Sequence, residues 1–78
     1  MNKEIIIYST STCHFCHLAK DWLNEKGIKF TDYNVATDLE KRKEMVSLTG
    51  QMGVPVIKID NETLIGFDEG KLSELLGV

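Results

Sequence analysis

Two cysteines separated by two residues are the side chains of this sequence best suited to carry chemistry. Cys13 and Cys16 follow an apolar run at residues 5–8 and open an amphipathic stretch, so they lie at a predicted strand-to-helix junction. The unpaired N–H groups and the positive dipole end of a helix favour a thiolate at its N-terminus. A C-x-x-C at the first βα junction of a chain with cytosolic character is typical of a redox motif.

Other interpretations use the same cysteines. With His17, the motif also reads C-x-x-C-H, the signature of c-type haem attachment. Haem attachment requires export, and the first residues lack the apolar segment of a secretory leader. Two buried, unreactive cysteines are a second alternative, which is weakened because the motif precedes the helix instead of lying on its apolar face.

A metal site is the third alternative. A structural zinc ion needs four ligands, and the Cys and His residues of the chain all crowd one helical start: Cys13, His14, Cys16 and His17. Four neighbours on one helical turn cannot converge tetrahedrally, so we predict no metal site within one chain. A metal ion or iron–sulfur cluster held by the cysteines of two chains stays open as the alternative function, that of a carrier module.

Composition and charge limit the possible partners. The chain has 78 residues, 42% of them hydrophobic, which predicts one domain at residues 1–78 with a core of sheet and helices. A bridge between the two cysteines closes too short a loop to stabilise the fold much, so a chemical role is favoured. The net charge of -3 gives no attraction to nucleic acids or anionic membranes. We expect a cytoplasmic monomer that binds neither.

One basic run interrupts the acidic balance. Lys41, Arg42 and Lys43 stand inside a helical pattern, with Glu40 and Glu44 on either side. A solvated helix face accounts for such a run, and docking to an acidic partner is the alternative.

The hydrophobic pattern predicts the order β-α-β-α-β-β-α. A capping box at Thr37 and Glu40 starts the second helix, and Gly50 ends it. Within that helix Leu39, Met45, Val46 and Leu48 are predicted to be buried. The other predicted elements are strands at residues 4–8, 28–34, 54–59 and 63–65 and helices at 13–26 and 68–76. This is an α/β protein with a four-stranded mixed sheet, in which strands one and two are parallel and a hairpin is added antiparallel. Three helices flank the sheet.

Three segments of the chain resemble the glutaredoxin family. Tyr8-Ser9 followed by Cys13-His14-Phe15-Cys16 is similar to the active-site junction of that family. Gly53-Val54-Pro55 resembles its Thr-Val-Pro segment, and Gly66-Phe67-Asp68-Glu69 resembles its Gly-Gly-x-Asp-Asp segment. The resemblance implies a thioredoxin-like fold and a dithiol thiol-disulfide oxidoreductase with no bound cofactor.

The resemblance also implies roles for single residues in disulfide exchange. Cys13 attacks the substrate disulfide, and Cys16, one helical turn along and more buried, then resolves the mixed disulfide by forming a Cys13–Cys16 bridge. The Val54–Pro55 bond is expected to be cis and to face the thiols, which leaves the backbone of Val54 free to pair with a substrate.

Further residues are implied as contacts for glutathione. Phe15 supplies an apolar platform beside the thiols. Gly66, Phe67 and Asp68 lead into the third helix, whose N-terminus suits a charged group. Gln51 matches a family position that is often Arg or Gln.

Departures from the family pattern leave the electron source open. Thr10 stands where many users of glutathione have a Lys, Ile65 where the first Gly is expected, and His14 where Pro is usual. The chain also resembles NrdH-redoxins, which accept electrons from thioredoxin reductase, although their Trp-Ser-Gly-Phe-Arg-Pro-Asp run is absent. The expected partners are therefore glutathione or a thioredoxin-reductase-type flavoenzyme, together with disulfide-bearing substrates.

Overall fold

Alternating strands and helices build the protein. The computed structural model describes residues 3–78. Its elements are β1 (Ile5–Ser9), α1 (His14–Glu25), β2 (Thr31–Asn34), α2 (Leu39–Thr49), β3 (Val56–Ile59), β4 (Glu62–Ile65) and α3 (Glu69–Leu76). The predicted order β-α-β-α-β-β-α is confirmed.

The four strands form one mixed sheet in the order β2-β1-β3-β4. β1 runs parallel to β2, because α1 carries the chain back across the sheet, and antiparallel to β3. β3 and β4 form the predicted hairpin, in which Ile59 pairs with Glu62. Asp60 takes the left-handed conformation in the turn between them, with φ 51°.

The side chains of β1 alternate between two hydrophobic clusters, one on each face of the sheet. On the first face, Ile5 and Ile7 pack with residues of α1 and α3, including Leu23 and Leu72. On the second face, Tyr8 packs with Met45 of α2. The indole Nε1 of Trp22 donates a 3.0 Å hydrogen bond to Glu69 Oε1, which ties α1 to α3. The helices therefore hold the end of β1, where the cysteines follow, from both sides.

Each element starts one to three residues from its predicted position, and hydrogen bonds explain two of the differences. The strand predicted from residue 28 begins at Thr31, because Ile28 N–H instead donates to the carbonyl of Leu23 and closes the end of α1. The cap of α2 is Asp38 rather than Thr37, and its carboxylate accepts the N–H of Lys41 at 3.1 Å.

The predicted burial of α2 is only half right. Met45 is buried and Val46 is packed against its cluster, but Leu39 and Leu48 are 63% and 43% exposed. At about 100° per residue, Leu48 lies away from the side of the helix that Met45 and Val46 turn towards the sheet. Leu39 lies on nearly the same side as Val46, but it is the first residue of α2 and does not belong to the cluster.

The apolar stripe of α1 also differs from the pattern in the sequence. It consists of Cys16, Ala19, Trp22 and Leu23, and it leaves Phe15 and Leu18 exposed. The prediction that the cysteine motif avoids the apolar face is therefore wrong for Cys16. No helix within residues 3–78 has the length and apolar character needed to cross a membrane.

Candidate active site

Cys13 is the N-cap of α1. Its backbone is extended, with φ -85° and ψ 115°, and its sulfur accepts the backbone N–H of Cys16 at 3.2 Å. The N–H of Cys13 in turn donates to the carbonyl of Thr10 at 3.4 Å, which closes the loop after β1. A sulfur in this position faces the N–H groups that the helix leaves unpaired, and these groups stabilise negative charge.

Cys16 lies one turn further along and is fully buried, whereas Cys13 is partly exposed. Burial raises the pKa of the Cys16 thiol to about 12, and its hydrogen bond with Cys13 adds to the rise. Cys16 is therefore a protonated thiol at neutral pH. The predicted difference in burial between the two cysteines is confirmed, and both are present as free thiols.

The loop before β3 faces the cysteines. The Val54–Pro55 peptide bond is cis, as predicted. The thiol of Cys13 donates to the carbonyl of Val54 across 3.8 Å. Pro55 is fully buried, and its carbonyl accepts the N–H of Gly66 at 2.8 Å. The Gly53-Val54-Pro55 segment therefore contacts both of the other segments named in the sequence analysis, that of Cys13 and that of Gly66.

Gln51 is used within this loop. Its amide nitrogen donates to the carbonyl of Gly53 at 3.1 Å, and its amide oxygen accepts the N–H of the same residue. A further bond joins the amide nitrogen to the hydroxyl of Thr49. Gln51 therefore braces the chain before the cis bond and does not extend its amide into open space.

Gly66, Phe67 and Asp68 connect the hairpin to α3. Gly66 has φ +85°, a conformation that favours glycine. Phe67 packs edge-on against Trp22, with ring centroids 6.5 Å apart. Asp68 is the N-cap of α3, and its carboxylate accepts the N–H of Lys71 at 3.1 Å.

Phe15 gives the site an aromatic surface. Its side chain is 58% exposed at the start of α1 and lies edge-on to His14, with ring centroids 5.5 Å apart. His17, on the same turn, is hydrogen-bonded through Nε2 to the carbonyl of Ser11 at 2.8 Å. Phe15 is thus exposed beside the cysteines, while His17 supports the loop that leads to Cys13.

A polar cluster near Cys16 was missed in the sequence. Ser9 donates to Asp32 at 2.6 Å, and Lys20 forms a 2.9 Å ion pair with the other carboxylate oxygen of Asp32. Lys20 follows Cys16 by four residues, so the two share one face of α1. Its positive charge opposes the rise in the pKa of Cys16. The i,i+4 spacing was visible in the sequence, but the place of Asp32 on the neighbouring strand was not.

The residues that the structure describes contain no group of three or more His, Cys, Asp or Glu side chains placed to hold a metal ion.

Comparison with known proteins agrees with this geometry. The family model for glutaredoxin matches residues 5–65. An uncharacterized glutaredoxin-like 8.6 kDa protein in the rubredoxin operon of Clostridium pasteurianum is 47% identical over 72 residues, which cover 92% of this chain and 96% of that protein. Glutaredoxin 3 of Escherichia coli strain K12 is 38% identical over 66 residues, covering 85% of this chain and 80% of the relative.

A solved structure extends the likeness to the fold. The glutaredoxin-like protein NrdH-redoxin from Escherichia coli superposes with a TM-score of 0.81 at 26% identity, covering 92% of this chain and 93% of that one. The predicted thioredoxin-like fold is confirmed. Because the glutaredoxin family model matches residues 5–65, which are most of the chain, the chain belongs to the glutaredoxin family.

Proposed function

We propose that this protein is a dithiol thiol-disulfide oxidoreductase that reduces protein or small-molecule disulfides through Cys13 and Cys16. The observation that carries the proposal is the asymmetry of the two thiols. The sulfur of Cys13 is partly exposed at a helix start and accepts the N–H of Cys16, whereas Cys16 is buried and keeps its proton. Cys13 is therefore suited to attack the substrate, and Cys16 is suited to react in the second step.

The reaction proceeds in two exchanges. The thiolate of Cys13 attacks one sulfur of the substrate disulfide, which breaks that S–S bond, forms a mixed disulfide and releases the other substrate half as a thiolate. Cys16 then gives up its proton and attacks the sulfur of Cys13. The second half leaves as a thiolate and takes up a proton. Two electrons have then passed from the dithiol of the protein to the substrate, and the protein is left with a Cys13–Cys16 disulfide.

Several residues are suited to hold the substrate during these steps. The carbonyl of Val54 lies beside Cys13, so an extended substrate segment can pair with this residue in the manner of an added strand. Phe15 offers an exposed aromatic face. On the other side, Gly66 and Phe67 lead to the N-terminus of α3 at Asp68, where N–H groups suit an anionic group.

The return of electrons to the disulfide needs a donor. Glutathione is one candidate, because Val54 lies beside Cys13, and the next residue, Pro55, is hydrogen-bonded to Gly66, which leads into the Phe67–Asp68 turn. A thioredoxin-reductase-type flavoenzyme is the second, and the Escherichia coli NrdH-redoxin, which has the same fold, is described with a thioredoxin-like activity profile. Since a dithiol carrier must be kept reduced, we propose that the protein acts in the cytoplasm.

The proposal is tested by following NADPH consumption with bis(2-hydroxyethyl) disulfide as substrate. One reaction contains glutathione with its reductase and the other contains thioredoxin reductase. We expect at least one donor system to support turnover that Cys13→Ser abolishes, with His14→Ser as a control at an exposed neighbouring position. Equal rates for wild type and Cys13→Ser in both systems contradict the proposed function.

A further inference from the structure

The basic run of α2 places its three cations in different environments. Lys41 forms a 3.1 Å ion pair with Glu44. Lys43 is exposed to solvent, as a solvated helix face predicts. Arg42 is partly exposed, and its Nη2 donates to the Sδ of Met52 at 3.9 Å. The thioether of Met52 therefore lies against a guanidinium group.

The guanidinium group of Arg42 pairs with no carboxylate within residues 3–78. It has five N–H donors, and the thioether sulfur that it contacts is only a weak acceptor. An oxygen atom added to that sulfur is a much stronger acceptor, because a hydrogen bond from a charged donor to oxygen is short and strong. Arg42 is therefore able to stabilise an oxidised form of Met52.

Met45 and Met52 are the two methionines within residues 3–78, and they differ in their access to solvent. Met52 is 56% exposed, whereas Met45 is fully buried in the cluster beneath α2. Peroxides convert methionine to its sulfoxide where they reach the sulfur atom. A dissolved peroxide therefore reaches Met52 far more readily than Met45.

The loop before β3 holds Met52 close to α2. The amide nitrogen of Gln51 donates to the carbonyl of Gly53 at 3.1 Å and to the hydroxyl of Thr49 at 3.3 Å. Thr49 is the last residue of α2, the helix that also carries Arg42. The residues on either side of Met52 are thus tied to the helix that supplies its hydrogen-bond donor.

The distance between the two side chains suits an oxygen atom placed between them. An S–O bond is about 1.5 Å long, and a charge-assisted N–H···O bond is about 2.8 Å long. Because Nη2 and Sδ are 3.9 Å apart, these two lengths enclose an angle of about 125° at the oxygen, near the direction of a lone pair. The oxygen fits without displacement of either side chain.

We propose that Met52 is a site of oxidation by peroxides and that Arg42 binds the oxygen of one of its two sulfoxide epimers. The sulfur takes one oxygen atom from hydrogen peroxide, so the O–O bond breaks, the S–O bond forms, and the other oxygen leaves as water. The sulfur loses two electrons, which the peroxide gains. The N–H groups of Arg42 stabilise the charge that develops on the transferred oxygen, so they favour the epimer whose oxygen points towards them.

The sulfoxide persists under conditions that reduce a disulfide. Thiols reduce a Cys13–Cys16 bridge by exchange, whereas methionine sulfoxide requires its own reductases, one for each epimer. Oxidation places a polar group two residues before Val54, whose carbonyl accepts the thiol of Cys13. The inference does not depend on the proposed function, because oxidation of a thioether needs neither cysteine.

The extent and stereochemistry of oxidation at the two methionines test the proposal. Diamide first converts the cysteines to a disulfide, so that thiols do not consume the oxidant, and hydrogen peroxide is then added at pH 7. Trypsin releases residues 44–58 as one peptide that contains Met45 and Met52, and fragment masses measure the oxidation of each. Two methionine sulfoxide reductases of opposite specificity are then applied to the peptide, and the fraction that each reduces gives the epimer ratio.

We expect Met52 of folded wild type to be oxidised about tenfold or more faster than Met45, with one epimer in about fivefold excess, as a typical net hydrogen bond provides. Arg42→Leu should give nearly equal amounts of the two epimers, and Arg42→Lys should retain part of the excess, because an ammonium group is still a donor. Lys43→Gln, the matched control, removes the same charge from the neighbouring exposed position and should leave the excess unchanged.

Equal oxidation of the two methionines in folded wild type overturns the proposal, and so do nearly equal epimers at Met52. An excess that survives Arg42→Leu, or that Lys43→Gln abolishes, also overturns it. Met45 reports on folding, since its rapid oxidation in a variant shows that the core has opened. Wild type in concentrated urea supplies a test without substitution: its epimers should become equal, and an excess that persists there excludes a role for the position of Arg42.

Discussion

The backbone N–H of Cys16 donates a hydrogen bond of 3.2 Å to the sulfur of Cys13. This bond joins the partly exposed thiol at the helix start to the backbone of the buried one. It stabilises negative charge on Cys13, while burial keeps the proton on the side chain of Cys16. The order of events that we propose for disulfide exchange rests on this difference between the two cysteines.

Lys20 should act on the second exchange and not on the first. Its positive charge opposes the raised pKa of Cys16, so Lys20→Gln should raise that pKa further. We expect the variant to accumulate more mixed disulfide than wild type during turnover, with the alkylation rate of Cys13 unchanged. Quenched samples analysed by mass spectrometry measure the mixed disulfide. Lys29→Gln, at a position away from the cysteines, is the control, and an equal accumulation in that variant contradicts the role of Lys20.

Tyr8 and Glu44 should make stability depend on pH at both extremes. The hydroxyl of buried Tyr8 donates to Glu44 at 2.6 Å. Burial, together with this bond, raises the pKa of Tyr8, and the bonds from Tyr8 and Lys41 lower the pKa of Glu44. A lowered carboxyl pKa gives stability that is present above the unfolded value near 4.5 and is lost as pH falls through the folded value. A raised phenol pKa gives stability that is lost as pH rises above 10.0.

Tyr8→Phe tests this pair. The variant should lose about 1 kcal/mol of unfolding free energy at pH 7, a typical value for a hydrogen bond whose acceptor is partly solvated. It should also lose the decline of stability that wild type has above pH 10. Urea unfolding at pH 4, 7 and 10.5 measures both effects. Parallel pH curves for the two proteins would show that the pair does not set the pH dependence.

Asp68 caps α3, and its proposed role in binding glutathione can be tested separately. Its carboxylate caps α3, so Asp68→Ala should lower the free energy of unfolding by about 1 kcal/mol, whereas Asp68→Asn keeps a capping oxygen and should lower it little. Asp38→Ala, which removes the equivalent cap of α2, is the matched control for the change in stability. If Asp68 also holds glutathione, Asp68→Asn should slow glutathione-dependent turnover while Asp38→Asn does not. A turnover rate unchanged in Asp68→Asn limits the residue to its capping role.

Thr10→Lys should strengthen the use of carboxylate-bearing disulfides. Thr10 lines a small pocket together with Arg42 and Val54, and its carbonyl accepts the N–H of Cys13, so a lysine at this position places a cation near Cys13. We expect kcat/KM for glutathione disulfide to rise by about tenfold, with little change in the alkylation of Cys13. Thr12→Lys places the same charge at an exposed position of the same loop and serves as the control. An equal rise in both variants points to general attraction and not to the pocket.

The sequence was sufficient for the order of elements, because hydrophobic periodicity and glycine positions mark each of them. It also identified Cys13, Val54 and Gly66 as parts of segments that the fold brings together. Tertiary packing decided what the pattern missed. Leu48 is hydrophobic yet exposed, since the sheet contacts only one narrow side of α2, and Leu39 is exposed at the first residue of that helix. The carboxylate partner of Lys20 is supplied by a neighbouring strand, and a single sequence holds no sign of that pairing.

The central claim, that Cys13 attacks and Cys16 resolves, is tested most directly by the reactivity of the two single-serine variants. Each is incubated with bis(2-hydroxyethyl) disulfide, and its mixed disulfide is followed by intact-protein mass spectrometry at pH 7. Cys16→Ser should form a stable adduct within the wild-type turnover time, and Cys13→Ser should form almost none, because its remaining thiol is buried and protonated. An adduct that forms faster on Cys13→Ser than on Cys16→Ser contradicts the assignment.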